Sequence, residues 1–444
     1  VSERRASNER LRHLLREAGW TGEAFARAVN ATAAEAGLSL RYQRPSVAQW
    51  LAGAVPRAPV PELIAEALSR RLGRVVSVAD AGFGRLAKGG REGSEPLETG
   101  VSLRMPARAG GVPADILYHL AALDEVLDEA RTGIVWSGLR PTGGRIGKEE
   151  AAAAQTALLM FSSVDKSFGG GYIRAALAAY LTTVIDPWLK APSSPATARD
   201  LRRTAAQLTY LCAFVHFDDM KHGLAQWYYL RALDLTDSAD DELTTAVILR
   251  GLSVQAYTLG HYPQARRLAQ AAHDRCPPWA PGYLRAALLG QRAVTASAFK
   301  ETRSALEDLA SAERHLHGAE EPTAPVGAYH RASLAHQRAE TAVHLNDFKH
   351  ARTAFADALR LRPSSEQRAH ALILHKLATL ELSRGQLEVA CHQWQQLIHD
   401  YTALNSCRAD GAISEMRSLL RPFSRNPMAA SLLRTAAQSS RYAR

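Results

Sequence analysis

Apolar positions in the first 83 residues fall into four short blocks with helical spacing. They are Leu11, Leu14 and Leu15; Phe25, Ala28 and Val29; Val47, Trp50 and Leu51; and Leu63, Ile64, Ala67, Leu68 and Leu72. Steps of three and four put each set on one side of a helix. The punctuation agrees. Asn8 and Thr21 stand where N-caps belong, and Gly19, Gly37 and Gly53 where helices end. Pro45 and Pro61 stand in first turns, where a missing N–H costs nothing. Val78 to Phe83 adds a short fifth turn. The pattern predicts one compact helical domain over residues 1–84.

The pattern then fades. Gly84, Gly89, Gly90, Gly93 and Gly100 lie among Lys88, Arg91, Glu92, Glu95 and Pro96, so residues 85–104 read as a linker. Residues 105–200 read as a helical connecting region. Its stripe is Ile116, Leu117, Leu120, Leu123 and Leu127, with further helices over Ala151 to Phe161 and Tyr172 to Leu189. Gly169-Gly170-Gly171 reads as a sharp turn between helices.

From residue 201 to 444 the chain repeats. With Ala225, Ala265, Ala305, Ala351 and Ala390 as landmarks, the residues twelve earlier are Ala213, Ser253, Ala293, Ala339 and Ala378. Seven later stand Ala232, Ala272, Ala312, Ala358 and Leu397. Small residues at fixed offsets are needed where paired helices cross closely. Tyr262 and Phe348, three before their landmarks, are expected to fill the space beside them. Pro277 and Pro363 stop two helices. Arg408 to Arg444 is expected to add a last helix pair or cap and a frayed basic tail.

Composition narrows the class. The chain has 444 residues, 46% of them hydrophobic, with no apolar run of membrane-spanning length. Val1 to Arg16 alternates Arg and Glu and lacks the apolar stretch of a signal peptide. Cys212, Cys276, Cys391 and Cys407 are far apart, without a CxxC pair, so reduced thiols in the cytoplasm are expected. The formal charge of +10 is uneven: residues 1–104 carry 16 Lys and Arg against 11 Asp and Glu, and residues 404–444 carry 7 against 2. The remainder is neutral. A basic head on a neutral body suits either a polyanion partner or a merely solubilising surface.

The head offers a candidate contact surface. With Val47, Trp50 and Leu51 turned inward, Arg44, Ser46 and Gln49 point away, and these side-chain types read base edges in the major groove. Arg57, in a Pro-bracketed loop, is placed to hold a phosphate. Residues 8–83 resemble the repressor-type helix-turn-helix family (the Cro/xenobiotic-response-element class) in helix spacing and in the block Gly53-Ala54-Val55-Pro56-Arg57. The stretch Ala31 to Leu40 is longer than the usual tight turn of that family. The resemblance implies that Arg44, Ser46 and Gln49 read bases, while Arg41, Tyr42, Gln43 and Arg57 contact the backbone of a double-stranded DNA operator. Trp50 reads as core.

The repeat spacing resembles the tetratricopeptide repeat, although intervals of 40, 40, 46 and 39 residues exceed the usual length. The expected fold is therefore all-α: a helix-turn-helix head followed by an α-solenoid of such helix pairs. In such a stack the first helix of each pair lines the concave face. Three residues before each early small position stand Tyr210, Arg250, Gly290, His336 and His375, with Glu340 one turn beyond His336. This row offers an aromatic ring, a cation, a gap and two imidazoles, which suits a small polar or anionic ligand, a peptide, or an ordinary solvated groove.

No catalytic set emerges. Gly143-Gly144-Arg145-Ile146-Gly147-Lys148-Glu149 fails as a phosphate loop: Thr142 stands where the first Gly is needed, Glu149 follows the Lys, and no strand precedes it. His216-Phe217-Asp218-Asp219 with His222 is the nearest thing to a metal cluster, and its aspartates read as helix caps. Gly260-His261-Tyr262-Pro263 reads as a helix connection. No metal or cofactor is expected.

Head and body together resemble actinobacterial transcriptional regulators that join a helix-turn-helix head to a tetratricopeptide body. The stretches that carry this are Arg41 to Gly53, Glu66 to Arg74, Phe161 to Gly171, and Gly223-Leu224-Ala225-Gln226. The resemblance implies a non-enzymatic, cytoplasmic, nucleoid-associated regulator, acting as a homodimer on a palindrome, with a possible small-molecule or peptide effector. More distantly it resembles peptide-sensing regulators. The alternative is an adaptor whose repeats bind proteins and whose head is incidental.

Overall fold

A computed structural model describes residues 7–36, 38–83, 117–127, 145–317 and 326–439. Apart from one isolated parallel bridge between Ile146 and Ser193, its regular structure is helical. The expected linker over 85–104, Gly37, Ile116, Gly143, Gly144 and the basic tail beyond 439 lie outside the described residues.

Four helices build the head: α1 (Glu9–Glu17), α2 (Gly22–Glu35), α3 (Arg44–Leu51) and α4 (Val60–Leu72). The caps form as the sequence indicates. Asn8 Oδ1 accepts the Leu11 N–H at 3.0 Å, and Thr21 Oγ1 accepts that of Ala24 at 3.2 Å. The four stripes meet in one core around Leu11, Phe25, Val47, Trp50, Leu63, Ile64 and Leu68. Residues 78–83 form turns rather than a helix, and Ala81 and Phe83 close the core. The long segment after α2 is absorbed: α2 runs to Glu35, and Leu38 and Leu40 pack on the core. Asn30 then grips the Tyr42 backbone, donating to its carbonyl and accepting from its N–H, both at 2.9 Å. This fixes where the chain enters α3.

The last turn of α4 ties the head's back together. Arg70 pairs with Glu66 (2.9 Å) and Glu35 (2.7 Å), Arg71 donates to the Ala18 carbonyl, and Arg74 pairs with Glu17. Three cations of the basic head are thus internal fastenings, which lowers the charge left for a partner.

The body comprises α5 (Leu120–Leu127), α6 (Lys148–Phe168), α7 (Arg174–Tyr180), α8 (Asp186–Lys190) and a run of pairs. The pairs are α9 (Pro195–Asp218) with α10 (His222–Asp237), α11 (Glu242–Thr258) with α12 (Tyr262–Asp274), and α13 (Gly282–Ala298) with α14 (Thr302–Leu316). Next come α15 (Arg331–His344) with α16 (Phe348–Arg360) and α17 (Gln367–Ser383) with α18 (Leu387–Tyr401). Then follow α19 (Cys407–Leu420) and α20 (Pro427–Ser439). The helix expected over Tyr172 to Leu189 is instead broken into a 3-10 turn, α7, a π-helical turn over Leu181–Ile185, and α8. No described helix is long and apolar enough to cross a membrane.

All fifteen small-residue landmarks and their offset partners, Leu397 included, have 0% exposure. They sit where the two helices of each pair cross. One crossing is also hydrogen bonded: Ser253 Oγ donates to the Ala265 carbonyl at 2.7 Å. The aromatics are less enclosed than expected: Tyr262 and Phe348 start their helices with 37% and 41% exposure, and the Tyr262 ring lies against Tyr257 and His344.

The run of pairs closes on itself. α6, expected to belong to a connecting region, packs on both α9 and α17. The glycine triplet after it is more than a turn. Gly171 N–H donates to the Asn405 carbonyl, and Asn405 N–H donates to that of Phe168. A Cβ on Gly169 would lie 2.7 Å from Asn405 O, and one on Gly170 would lie 2.8 Å from Val215 Cβ. Only glycine lets these backbones approach so closely.

Residues 117–120 join head to body. Leu117 belongs to the head core and Leu120 to the body core. Between them, the Gln226 amide clasps the His119 backbone through two hydrogen bonds of 2.7 Å. The Tyr118 ring lies under Arg70 (5.4 Å) and stacks on His261 at 5.6 Å and 8°.

Candidate functional site

Two places bring the singled-out residues together. The first is the outer face of α3. Val47 and Trp50 are buried, and Tyr42 lies edge-on to Trp50 at 4.9 Å. Arg41, Gln43, Arg44, Gln49 and Arg57 are exposed, and Ser46 is half-buried. Among the described residues no carboxylate forms an ion pair with Arg41, Arg44 or Arg57, and no body helix packs on α3. Tyr42 is half-buried, with its ring packed against Trp50. No side chain caps the α3 N-terminus; Pro45 has no N–H to cap, and the Ser46 and Val47 N–H groups donate to the Gln43 carbonyl at 2.9 and 3.4 Å.

The second place is a cavity of about 360 Å³ at the centre of the closed run of pairs. The first helices of the pairs line it, as the sequence suggested, and α6 and α19 complete the wall. Tyr210, Arg250, His336 and Glu340 all border it. His375 does not. Its Nε2 lies 3.1 Å from Glu415, and its Nδ1 accepts from Trp394 Nε1 at 3.2 Å, so it serves the packing of α17 on α18 and α19. The gap expected at Gly290 is filled: a Cβ there would meet Gln337 Oε1 and the Tyr329 hydroxyl. Gly251 has a comparable purpose, since a Cβ would stand 2.9 Å from the Tyr229 ring and 3.0 Å from that of Tyr210.

Charge is the cavity's main feature. Six cationic side chains line it, Lys166, Arg250, Arg362, Arg368, Lys376 and Arg408, against three carboxylates, Asp165, Glu340 and Glu366. Arg368 makes a bidentate pair with Asp165 (2.6 and 3.1 Å) and lies 3.6 Å from buried Asp218. Arg362 pairs with Glu366 at 2.6 Å, and Lys376 with Glu340. Burial pushes the Glu340 carboxyl up, but Lys376 and His336, whose Nε2 is 3.3 Å away, outweigh it and hold the group well below its ordinary range. For Asp165 the balance is reversed, and burial leaves it raised despite Arg368. Burial also raises the Tyr329 and Tyr257 hydroxyls, so both stay protonated donors.

Lys166, Arg250 and Arg408 have no ion-pair partner among the described residues. Arg250 donates through Nε to the Ala287 carbonyl and lies 5.9 Å over Tyr329. Arg408 lies 4.9 Å over the Phe217 ring, and burial lowers its pKa, with Asp218 opposing. Sequence reasoning missed Arg368 and Arg408, because neither falls on the row read from the repeat.

Of the aspartates read as caps, Asp219 is the C-cap residue of α9, its backbone N–H donating to the Val215 carbonyl, while both side chains turn to arginines. Asp218 ends α9 and faces Arg368, and Asp219 pairs with Arg174 at 2.9 Å. His216 Nδ1 hydrogen-bonds the Cys212 carbonyl at 2.7 Å. Among the described residues no cluster of His, Cys, Asp and Glu is arranged to hold a metal, and all four cysteines are free.

Comparison with known proteins bears on the head alone. No curated protein matches the chain. Residues 11–84 match the family described as the SP15 N-terminal domain, so the chain carries this domain ahead of an all-helical body of paired helices.

Proposed function

We propose that the chain is a sequence-specific DNA-binding transcriptional regulator whose body supplies dimerisation and senses a ligand. In this reading the head is a helix-turn-helix module, the body is a tetratricopeptide-like stack, and the protein acts in the cytoplasm on the nucleoid. One observation carries the reading: α3 is held by its apolar stripe while Arg44 and Gln49 are exposed and Ser46 is half-buried at the edge of that stripe. A helix so held inserts into the major groove and reads base edges with those side chains. Arg41, Gln43 and Arg57 flank it and position the head on phosphates. Ligand binding in the body shifts the dimer between arrangements of the two heads that differ in operator affinity.

Genome-wide mapping of bound DNA identifies the operator, and gel shifts then divide the roles. Arg44→Ala and Gln49→Ala each lose about 1–3 kcal/mol of discrimination at one base pair. Arg57→Ala weakens operator and random duplexes alike and lowers the salt slope by about one. Identical behaviour of all three variants would refute the division of roles. A map without any enriched sequence, alongside stoichiometric protein partners, would replace the regulator with an adaptor.

A further inference from the structure

We infer that the central cavity binds a small organic anion with a flat aromatic body, its oxyanion held by Arg250 and Arg408. The charge balance points there. Each carboxylate on the wall is already engaged by Arg368, Arg362 or Lys376, so Arg250 and Arg408 face the cavity without an ion pair, Asp218 acting on Arg408 only from beyond salt-bridge distance. Half-buried cations on the wall of one cavity repel one another and have lost part of their hydration. A carboxylate or phosphate between them relieves both costs and gains charge-assisted hydrogen bonds. The rings of Tyr210, Phe214, Phe217, Tyr229, Tyr257 and Tyr329 supply flat faces for an unsaturated body.

Size favours a small molecule over a peptide. A volume of about 360 Å³ lies at the low end of small-ligand sites. The contacts of residues 168–171 with Asn405 join the chain beside α6 to the loop before α19. A hydrogen-bond chain leads away from the pocket: Tyr329 to Gln337, Gln337 to Gln291, Gln291 to Ser253, and Ser253 to the Ala265 carbonyl. An occupant that engages Tyr329 therefore touches the crossing of α11 and α12. What the ligand regulates rests on the proposed function; its binding does not.

The test uses the full chain without DNA, by thermal shift and calorimetry. The probes are 2-naphthoate, 2-naphthyl phosphate, neutral 2-naphthamide, inorganic phosphate and a panel of short peptides. One or both naphthyl anions should raise the melting temperature while the amide does not; the two anions together tell carboxylate from phosphate preference. Arg250→Gln and Arg408→Gln should each weaken the bound anion by about tenfold or more. Arg408→Gln should also raise the melting temperature of the unliganded protein, because it removes an unpaired cation. Val254→Trp, which fills the cavity and leaves the charges in place, should abolish binding. The inference is overturned if the amide binds as well as the acids, if only peptides bind, or if no probe binds. It is equally overturned if binding survives in the Arg250→Gln, Arg408→Gln double variant. A protein that binds the anion yet selects no DNA sequence would keep this inference and lose the regulator.

Discussion

The head and the body solve the problem of helix packing in opposite ways. The head gathers large side chains, among them Phe25, Trp50, Leu63, Ile64 and Phe83, around one centre. Its arginines at the end of α4 fasten the outside. The body places alanines where helices cross, so its helices approach closely, and it keeps arginines and carboxylates on the inside of the ring. The difference assigns tasks. A head built on a big apolar centre leaves the outer face of α3 free to be any sequence, whereas a body built on small crossings must arrange its interior charges one by one.

The sharpest way to break that contrast is to remove an interior charge from the body. Arg368→Leu leaves Asp165 and Asp218 buried without their cation and is expected to destabilise the body by about 3–5 kcal/mol. Urea unfolding followed by circular dichroism measures it. Replacing Arg368, Asp165 and Asp218 together by apolar residues should recover most of the loss. A mild single variant would mean that the triad is not the keystone it resembles.

Acid should act next most strongly, and at the seam. His222 and His261 are buried beside Arg70. Burial first, then the arginine, holds each pKa down to about 4 from 6.5. A depressed histidine pKa means that the unfolded chain binds the proton first, so stability rises with pH. The contribution is whole above about pH 6.5 and disappears as the pH falls toward 4, by about 3 kcal/mol for each histidine. Neither His222 ring nitrogen has a hydrogen-bond partner among the described residues, so His222→Leu should flatten the pH profile with little loss at pH 7. An unchanged profile in that variant would rule the residue out as its source.

Two smaller effects separate the cores. Ala305→Leu, at a closed crossing of α13 and α14, should cost about 1–3 kcal/mol through overpacking. The same change at a head surface position should cost almost nothing, and equal costs would erase the distinction drawn between the two cores. Asn8→Ala should cost about 1 kcal/mol, since the side chain caps α1 and donates to the Ala81 carbonyl. Thermal melts of the head signal register it; a neutral result would show that water replaces the cap.

The sequence reveals crossings better than it reveals the cavity. Alanine where helices touch leaves a repeating trace, because no larger side chain fits, and all five landmarks and their partners proved buried. The row before them located Tyr210, Arg250, His336 and Glu340 for the same reason. His375 misled because counting along repeats assumes equal geometry, while the Trp394 ring on α18 draws that imidazole to the other side of α17. Arg368 and Arg408 were invisible because their partners are more than a hundred residues away, across a closure that no local pattern encodes. The Pro- and Gly-punctuated head was legible down to its caps. Its arginines were not, since a cation that reaches a partner and one that ties a helix look alike in one dimension.

The Gln226 clasp on the His119 backbone reaches beyond the seam itself. Because an amide side chain there takes the place of a neighbouring strand, the head is not a ball on a string but a fixed bracket on the curved wall. If two chains join through their walls, the distance between their α3 helices is then set by curvature rather than by tether length. It would have to come to about one turn of the duplex or a multiple, roughly 34–36 Å apart. Cutting that clasp would turn a ruler into a leash.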